Sequence, residues 1–504
     1  MGRDFSNRWP LAVGLVAAAF VGISVVTQFG DAGVAHAQLS CETPPIDVSG
    51  LVRVWDKTDF CQSQDSVFEE IISGGVPRDG IPPIDNPTFE SIADASTWLQ
   101  PQSPVVTFEL NGTARAYPLA ILTRHEIVND VVDDVPVAVT FCPLCNSAIV
   151  FERTVDSQVY RFGVSGLLRN SDLIMWDDVT QSWWQQFTGE GIVGTHTGTM
   201  LTILPSQVVG FGAFVQQYPE GEVLSRNGRS YSSNPYVGYD SAPFPFLFNG
   251  ELDDRLLPTD RVLAGLIGGA AVAYPFPVLA EAVVINDTVG EHAVAAFWQP
   301  GATSALDRSS IDDSRDVGMA ALFNRDLNGR VLTFVADESG VIRDEQTGSL
   351  WNVFGTATDG ELAGSQLHQE LAFPHFWFAW AAFRPETRIY EPPTAGETGA
   401  IEGDPANGQV LFNTFQAEAN FACATCHYVD KEDQLIGPGL LNVSARAVER
   451  VAGLDAYDYI HTSIVDPGAF VVPNYPDNLM PRNWAQIYSD QQIADLIAYL
   501  FTLQ

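Results

Sequence analysis

A multidomain protein is expected: a mostly β (α+β) domain built from a duplicated unit, followed by a small all-α domain. Three observations lead there. The chain has 504 residues, too many for one hydrophobic core, and 46% hydrophobic against 17% charged residues is a globular composition. Residues 111–390 are dominated by short apolar, β-branched runs between turn signals, such as 135–141 and 331–335. After an acidic stretch rich in Pro and Gly at 391–403, which reads as a linker, apolar residues return at helical spacing through 404–504.

The first residues bear on the compartment. Arg3 and Arg8 precede a continuous apolar run over 11–26, and Ala35-His36-Ala37 forms a small-residue cleavage site before Gln38. This is the layout of a secretory signal peptide over 1–37, so the chain is expected in the periplasm or otherwise outside the cytoplasm. The run nearly reaches spanning length, so an uncleaved anchor is the rival, and membrane association is expected only then. Cys41 lies outside a lipobox, because Gln38 stands where a leucine belongs. Residues 38–110 read as the loop-rich start of the β-rich domain, punctuated by Gly74-Gly75 and Pro82-Pro83. In an oxidising compartment Cys41 and Cys61 read as a disulfide closing a short loop. The net charge of −37 repels phosphate and excludes nucleic acid as a partner. It favours a basic redox partner or a salty habitat, with plain solubility as the alternative.

An internal repeat marks the β-rich region. Residues 116–143 (AYPLAILTRHEIVNDVVDDVPVAVTFCP) align without gaps on 273–300 (AYPFPVLAEAVVINDTVGEHAVAAFWQP), sharing Ala-Tyr-Pro, an Asn-Asp pair read as a turn, Val-Ala and a final Pro. Residues 178–187 likewise resemble 345–354. Two such units are expected to bury a common core. Ala282 and Gln299 replace His125 and Cys142 in the second copy, so the chemistry belongs to the first. There, Cys142-Pro143-Leu144-Cys145 sits between two expected strands, like one half of a metal knuckle, whereas redox C-x-x-C motifs usually open a helix. Two thiolates need further ligands. His125 is the first choice, with His375 and His196 as weaker ones, and thiolate with imidazole suits copper or zinc. A disulfide or dithiol redox pair and inert buried thiols stand beside the metal site, and a satisfied core histidine stands beside the ligand role of His125. The aromatic residues Trp183, Trp184, Trp351, Phe376, Trp377, Phe378 and Trp380 read as core, with a binding groove as the alternative. The polar run 169–172 reads as a pocket lining or a turn cap.

The last domain carries Phe-Ala-Cys-Ala-Thr-Cys-His over 421–427. A C-x-x-C-H run is the attachment signal for c-type haem: Cys423 and Cys426 each add to one vinyl group and His427 lies under the iron as its ligand. Met480 is the only methionine after Met319 and is the expected sixth ligand, with His461 as the alternative. The capping box Ser489-Asp490-Gln491-Gln492 opens a closing helix with Ile493, Leu496, Ile497, Leu500 and Phe501 on one face.

With these residues, 403–504 resemble class I (mitochondrial-type) cytochromes c. The resemblance implies that Gly408 and Phe412 pack on the last helix near Tyr499, and that Pro438 offers the carbonyl that orients His427. Residues 60–390 resemble a family of secreted bacterial proteins known only as a domain of unknown function, through DGIPPIDNPTF (79–89), RHEIVND (124–130), FCPLCNSAIVFER (141–153) and HFWFAWAAFRPETRIY (375–390). That resemblance implies no reaction. The expectation is an extracytoplasmic haem electron-transfer protein, an oxidoreductase if its β-rich domain holds a metal or dithiol redox centre. A one-electron haem needs two turnovers to serve a dithiol, which weighs towards a metal. The alternative is a non-catalytic metal- or ligand-binding module, or a scaffold, carrying the haem.

Overall fold

A computed structural model describes residues 40–503 apart from 232, 338, 393–402, 418, 420, 449, 452–455, 474 and 477–478. The expected signal segment, 1–37, and most of the expected linker lie outside these residues. Among the described residues no helix is long and apolar enough to cross a membrane.

The duplication extends in three dimensions over five consecutive elements and the strands that flank them. Strands Pro104–Leu110 and Thr113–Pro118, helix Leu119–His125, and strands Ile127–Val132 and Val135–Cys142 recur, in the same order and lengths, as Arg261–Ile267, Ala270–Pro275, Phe276–Ala282, Val284–Val289 and His292–Gln299. In each unit a returning strand, Gln207–Gly210 or Ala372–Phe376, pairs antiparallel with the first. A last strand, Glu222–Leu224 or Arg388–Ile389, then pairs parallel with the second. The units thus begin a strand earlier than the sequence repeat near 116 and 273. The first strands, PVVTFEL and RVLAGLI, share burial and a single identity, Val105 with Val262, so only their packing reveals the match.

Buried polar bonds repeat as well. The Tyr117 hydroxyl donates to Asp130 at 2.7 Å and Tyr274 to Asp287 at 2.8 Å. The Trp184 and Trp351 indoles donate to Asp177 and Asp344, both at 3.0 Å. Asn129 and Asn286 each accept from a backbone N–H and donate to the carbonyl of the same residue, Phe162 or Phe334. The Asn-Asp pair is therefore not a turn. It lies within a strand, where these partners satisfy its side chains.

One core cluster joins the units, packing Val139, Val150 and Phe151 of the first with Phe376, Trp377 and Phe378 of the second. The aromatic residues singled out above are all buried. The segment between the units is pinned by Asp240, which accepts from Arg261 at 3.0 Å and from Ser304, and pairs with Arg315 at 3.1 Å. Ahead of the first unit, in a turn-rich segment, Cys41 and Cys61 form a disulfide with a Cα–Cα distance of 5.8 Å.

The C-terminal domain is helical, with Pro405–Asn413, Val443–Ala447, Ala456–Val465, Trp484–Ile487 and Asp490–Phe501. The first and last helices cross in close contact. A Cβ on Gly408 would stand 1.8 Å from the Asp495 carbonyl oxygen, so only glycine permits the crossing. Phe412 meets Tyr499 edge-on at 5.6 Å. Ser489 and Gln492 form the capping box, and Ile493, Leu496, Ile497 and Leu500 are buried while Phe501 is exposed.

Burial works against ionisation of Asp240, but Arg261 and Ser304 outweigh it and hold the carboxyl below its ordinary value. Removing one partner of a buried pair strands the other charge, at ~3–5 kcal/mol. Asp240→Ala is expected to lower the urea midpoint of the β-rich domain accordingly, followed by tryptophan fluorescence. A depressed carboxylate stabilises fully above its unfolded pKa of ~3.9 and loses this as pH falls through the folded value, so the gap from wild type should shrink in acid.

Candidate functional site

The C-terminal domain contains an open cleft lined mostly by apolar side chains including Phe412, Leu440, Tyr459 and Ile460. Cys423, Cys426, His427, Pro438 and Met480 all lie on its wall. The short 3₁₀ turn Cys423–Thr425 sets the local geometry, with the His427 N–H donating to the Cys423 carbonyl at 3.2 Å. His427 Nδ1 donates to the Pro438 carbonyl at 2.8 Å. That bond puts the proton on Nδ1 and leaves the Nε2 lone pair for a metal. Burial lowers the basicity of His427, against the Pro438 bond, and so favours the neutral ring a metal needs. A Cβ on Gly437 would stand 2.5 Å from His427 Cε1, so the glycine lets the loop lie against the ring. Burial raises both thiols, Cys423 to about 11. His461 is not on the wall; its ring stacks on Tyr457. The donor set and the apolar cleft fit a covalently held haem, which Cys423 and Cys426 would tether and for whose iron His427 and Met480 are the available ligands.

A second set of donors lies in the β-rich domain. Strands Val135–Cys142 and Ser147–Glu152 form a hairpin whose tight turn holds Cys145. A second hairpin, Phe162–Arg169 with Asp172–Asp177, turns through Asn170 and Ser171 at φ +53° and +62°. Its tip brings the Ser171 carbonyl to 3.7 Å from Cys142 Sγ. The two Sγ atoms and one carboxylate oxygen of Asp172 lie within 4.8 Å of one another. All three residues are buried, at 2%, 0% and 0% exposure for Cys142, Cys145 and Asp172. Asp172 Oδ2 accepts from Gln185 Nε2 at 2.6 Å and from the Phe187 N–H at 2.9 Å, whereas Oδ1 has no hydrogen-bond partner. Burial pushes Asp172 up to about 7. Glu126, also buried, is pushed up to about 8 by desolvation and by the nearby Asp172. Burial raises both thiols too, Cys145 the further.

His125 does not join this cluster, contrary to the sequence expectation. It ends helix Leu119–His125, and Glu126 follows at φ +58°. His125 Nδ1 bonds the Pro82 carbonyl at 2.7 Å and Nε2 the Tyr231 hydroxyl at 3.0 Å, so both ring nitrogens are engaged elsewhere. Glu126 instead acts electrostatically on Cys142 and Asp172. Val283, its counterpart, has φ +62°, so this backbone belongs to the fold rather than to the site. His196 is held by the Tyr160 hydroxyl at 2.9 Å. His375 is buried between the rings of Phe187 and Trp380, and burial drops its pKa to about 3. It is nonetheless a neighbour, because the next residue, Phe376, donates its N–H to the Cys145 carbonyl at 2.9 Å. Asp172 was visible in the sequence only as the last member of a polar run, and Glu126 only as the residue after His125. The available signal was a carboxylate heading the apolar run Leu173–Trp176.

Comparison with known proteins follows this division. Residues 78–387 match the family described as Protein of unknown function (DUF3179), over more than half of the chain. The chain belongs to this family. Residues 405–504 match Cytochrome c, so these residues form a cytochrome c domain, the carrier of covalent haem and of electron transfer. No curated protein and no solved structure matches. Glu126, Cys142, Cys145 and Asp172 all fall in the DUF3179 domain, and the Cys41–Cys61 disulfide lies ahead of it.

A thioether ligand raises a haem potential relative to a second imidazole. Met480→Ala should abolish the sulfur-to-iron charge-transfer absorption of the oxidised cytochrome c domain and lower its midpoint potential. His461→Ala should leave both unchanged.

Proposed function

We propose that the protein is an extracytoplasmic electron carrier whose haem is bound through Cys423 and Cys426 and ligated by His427 and Met480, and whose DUF3179 domain holds a second, buried centre at Cys142, Cys145 and Asp172. One observation carries the reading: both thiols, an imidazole with its Nδ1 committed to Pro438, and the lone late methionine share the wall of one apolar cleft. When bound, a haem supplies reversible one-electron chemistry. The chain's own residues do the rest. The cysteines tether, the Pro438 carbonyl fixes the imidazole tautomer, and the apolar wall keeps water from the iron and so favours the less charged, reduced form. The signal-like segment 1–37 and the Cys41–Cys61 disulfide support an oxidising compartment. A basic partner protein suits the net charge of −37.

The burial of Cys142, Cys145 and Asp172 favours a centre that holds an ion or stores charge over one that admits a bulky substrate. A dithiol is the second reading, because the two Sγ atoms lie within 4.8 Å of each other across one tight turn.

Anaerobic coulometric titration of the full chain, recovered from the periplasmic fraction, separates these readings. The haem contributes one electron. A redox-inert ion adds none and a redox-active ion adds one. A dithiol adds two, lost in Cys142→Ser. Haem released by acidic acetone, or protein retained in the cytoplasm with residues 1–37 uncleaved, would count against the electron-carrier reading itself.

A further inference from the structure

The duplication supplies an internal control for the buried cluster. Polar contacts that serve the fold occur in both units: the Tyr–Asp, Trp–Asp and Asn–backbone bonds above are repeated almost to the ångström. The cluster is not repeated. Gln299 replaces Cys142 and Val283 replaces Glu126, and where Cys145 sits in a four-residue turn the second unit has the long connection 300–318, which holds no cysteine. The hairpin that delivers Asp172 has strands of eight and six residues in the first unit and of three and three in the second. A need of the fold would be met twice. This arrangement is met once, and it is made from two separate hairpins.

Within it, Asp172 is fully buried and its Oδ1 has no nitrogen or oxygen donor; only the weakly donating Cys142 and Cys145 thiols face the carboxylate. Such an oxygen costs ~1–3 kcal/mol unless something pairs with it. Burial raises its pKa, the Gln185, Phe187, Cys142 and Cys145 donors lower it, and none of these groups is a cationic side chain. A cation is the missing partner. Two thiolates select a thiophilic metal over calcium or magnesium. A carboxylate as third donor favours a divalent ion over Cu(I), and zinc accepts mixed sulfur and oxygen donors.

We propose that Cys142, Cys145 and Asp172 are the ligands of one zinc-class divalent ion, with His125 excluded from the set. This rests on the reading of the DUF3179 domain as the seat of a second centre, and names that centre. Binding releases the two thiol protons, and any proton on Asp172, to solvent; no electron is transferred.

The test is elemental analysis of the full-length, haem-loaded protein, purified without chelators or a His tag. Near-stoichiometric zinc beside the haem iron is expected. It should be lost in Cys142→Ser and in Asp172→Ala and kept in His125→Ala. Because a buried thiol variant can fail to fold, wild-type protein stripped of zinc is also titrated with Co(II), and thiolate-to-cobalt charge-transfer absorption should appear and saturate at one equivalent. Wild-type protein that holds no second metal as isolated and takes up neither zinc nor cobalt overturns the proposal. So does copper in place of zinc, or a native Cys142–Cys145 disulfide seen by mass spectrometry. The haem spectrum of the same samples keeps the two readings apart: its absence counts against the electron carrier, and its presence without a second ion counts against this site alone.

Discussion

Neither unit of the β-rich domain can cover its inner face alone, and the shared core that results is the constraint from which the rest follows. Phe376, Trp377 and Phe378 of the second unit lie against the strands that carry Cys142 and its hairpin partner. The Phe376 N–H also donates to the Cys145 carbonyl. The second unit therefore closes the thiol pair off from water, although it supplies no thiol of its own. Removing water makes each buried acid expensive to ionise and makes a compensating cation valuable. The electrostatic character of the cluster is thus a consequence of dimer-like packing between two copies of one fold within a single chain.

The cytochrome c domain meets a different requirement with far fewer residues. Its frame is the crossing of the first and last helices, made possible by the missing side chain at Gly408. That crossing sets one side of the cleft. A second glycine, Gly437, lets the following loop reach His427, and the Pro438 carbonyl then decides which nitrogen keeps the proton. Two absent side chains and one carbonyl thus convert a C-x-x-C-H run into a directed ligand. The domain can be small because a large apolar prosthetic group supplies part of its core.

The two sites differ in how openly the sequence displays them. In the haem site the chemistry is local: Cys423, Cys426 and His427 are within one short turn, and spacing alone states their roles. Met480 is distant and is singled out by elimination, since no other methionine follows Met319, and it lies on the wall of the same cleft. In the DUF3179 domain the cysteines were legible as a pair, and their third neighbour was not. His125 was the natural choice because it precedes the hairpin and is a common ligand. The backbone turn at Glu126 parts its side chain from the thiols and commits it to Pro82 and Tyr231.

The sequence by itself determined the order of domains, the existence of a duplicated β-rich unit and the attachment of haem. Each of these is written in short-range spacing or in repetition along the chain. The tertiary structure alone decided where each unit begins, that the Asn-Asp pair lies in a strand, and that Asp172 rather than His125 stands beside Cys142 and Cys145. The reason is that these depend on which hairpins the common core presses together. Burial conserves shape and volume, so Val105 and Val262 can mark equivalent strands with almost no other identity. A carboxylate 30 residues from Cys142 and 27 from Cys145 becomes their neighbour only when two separate turns are folded onto one another.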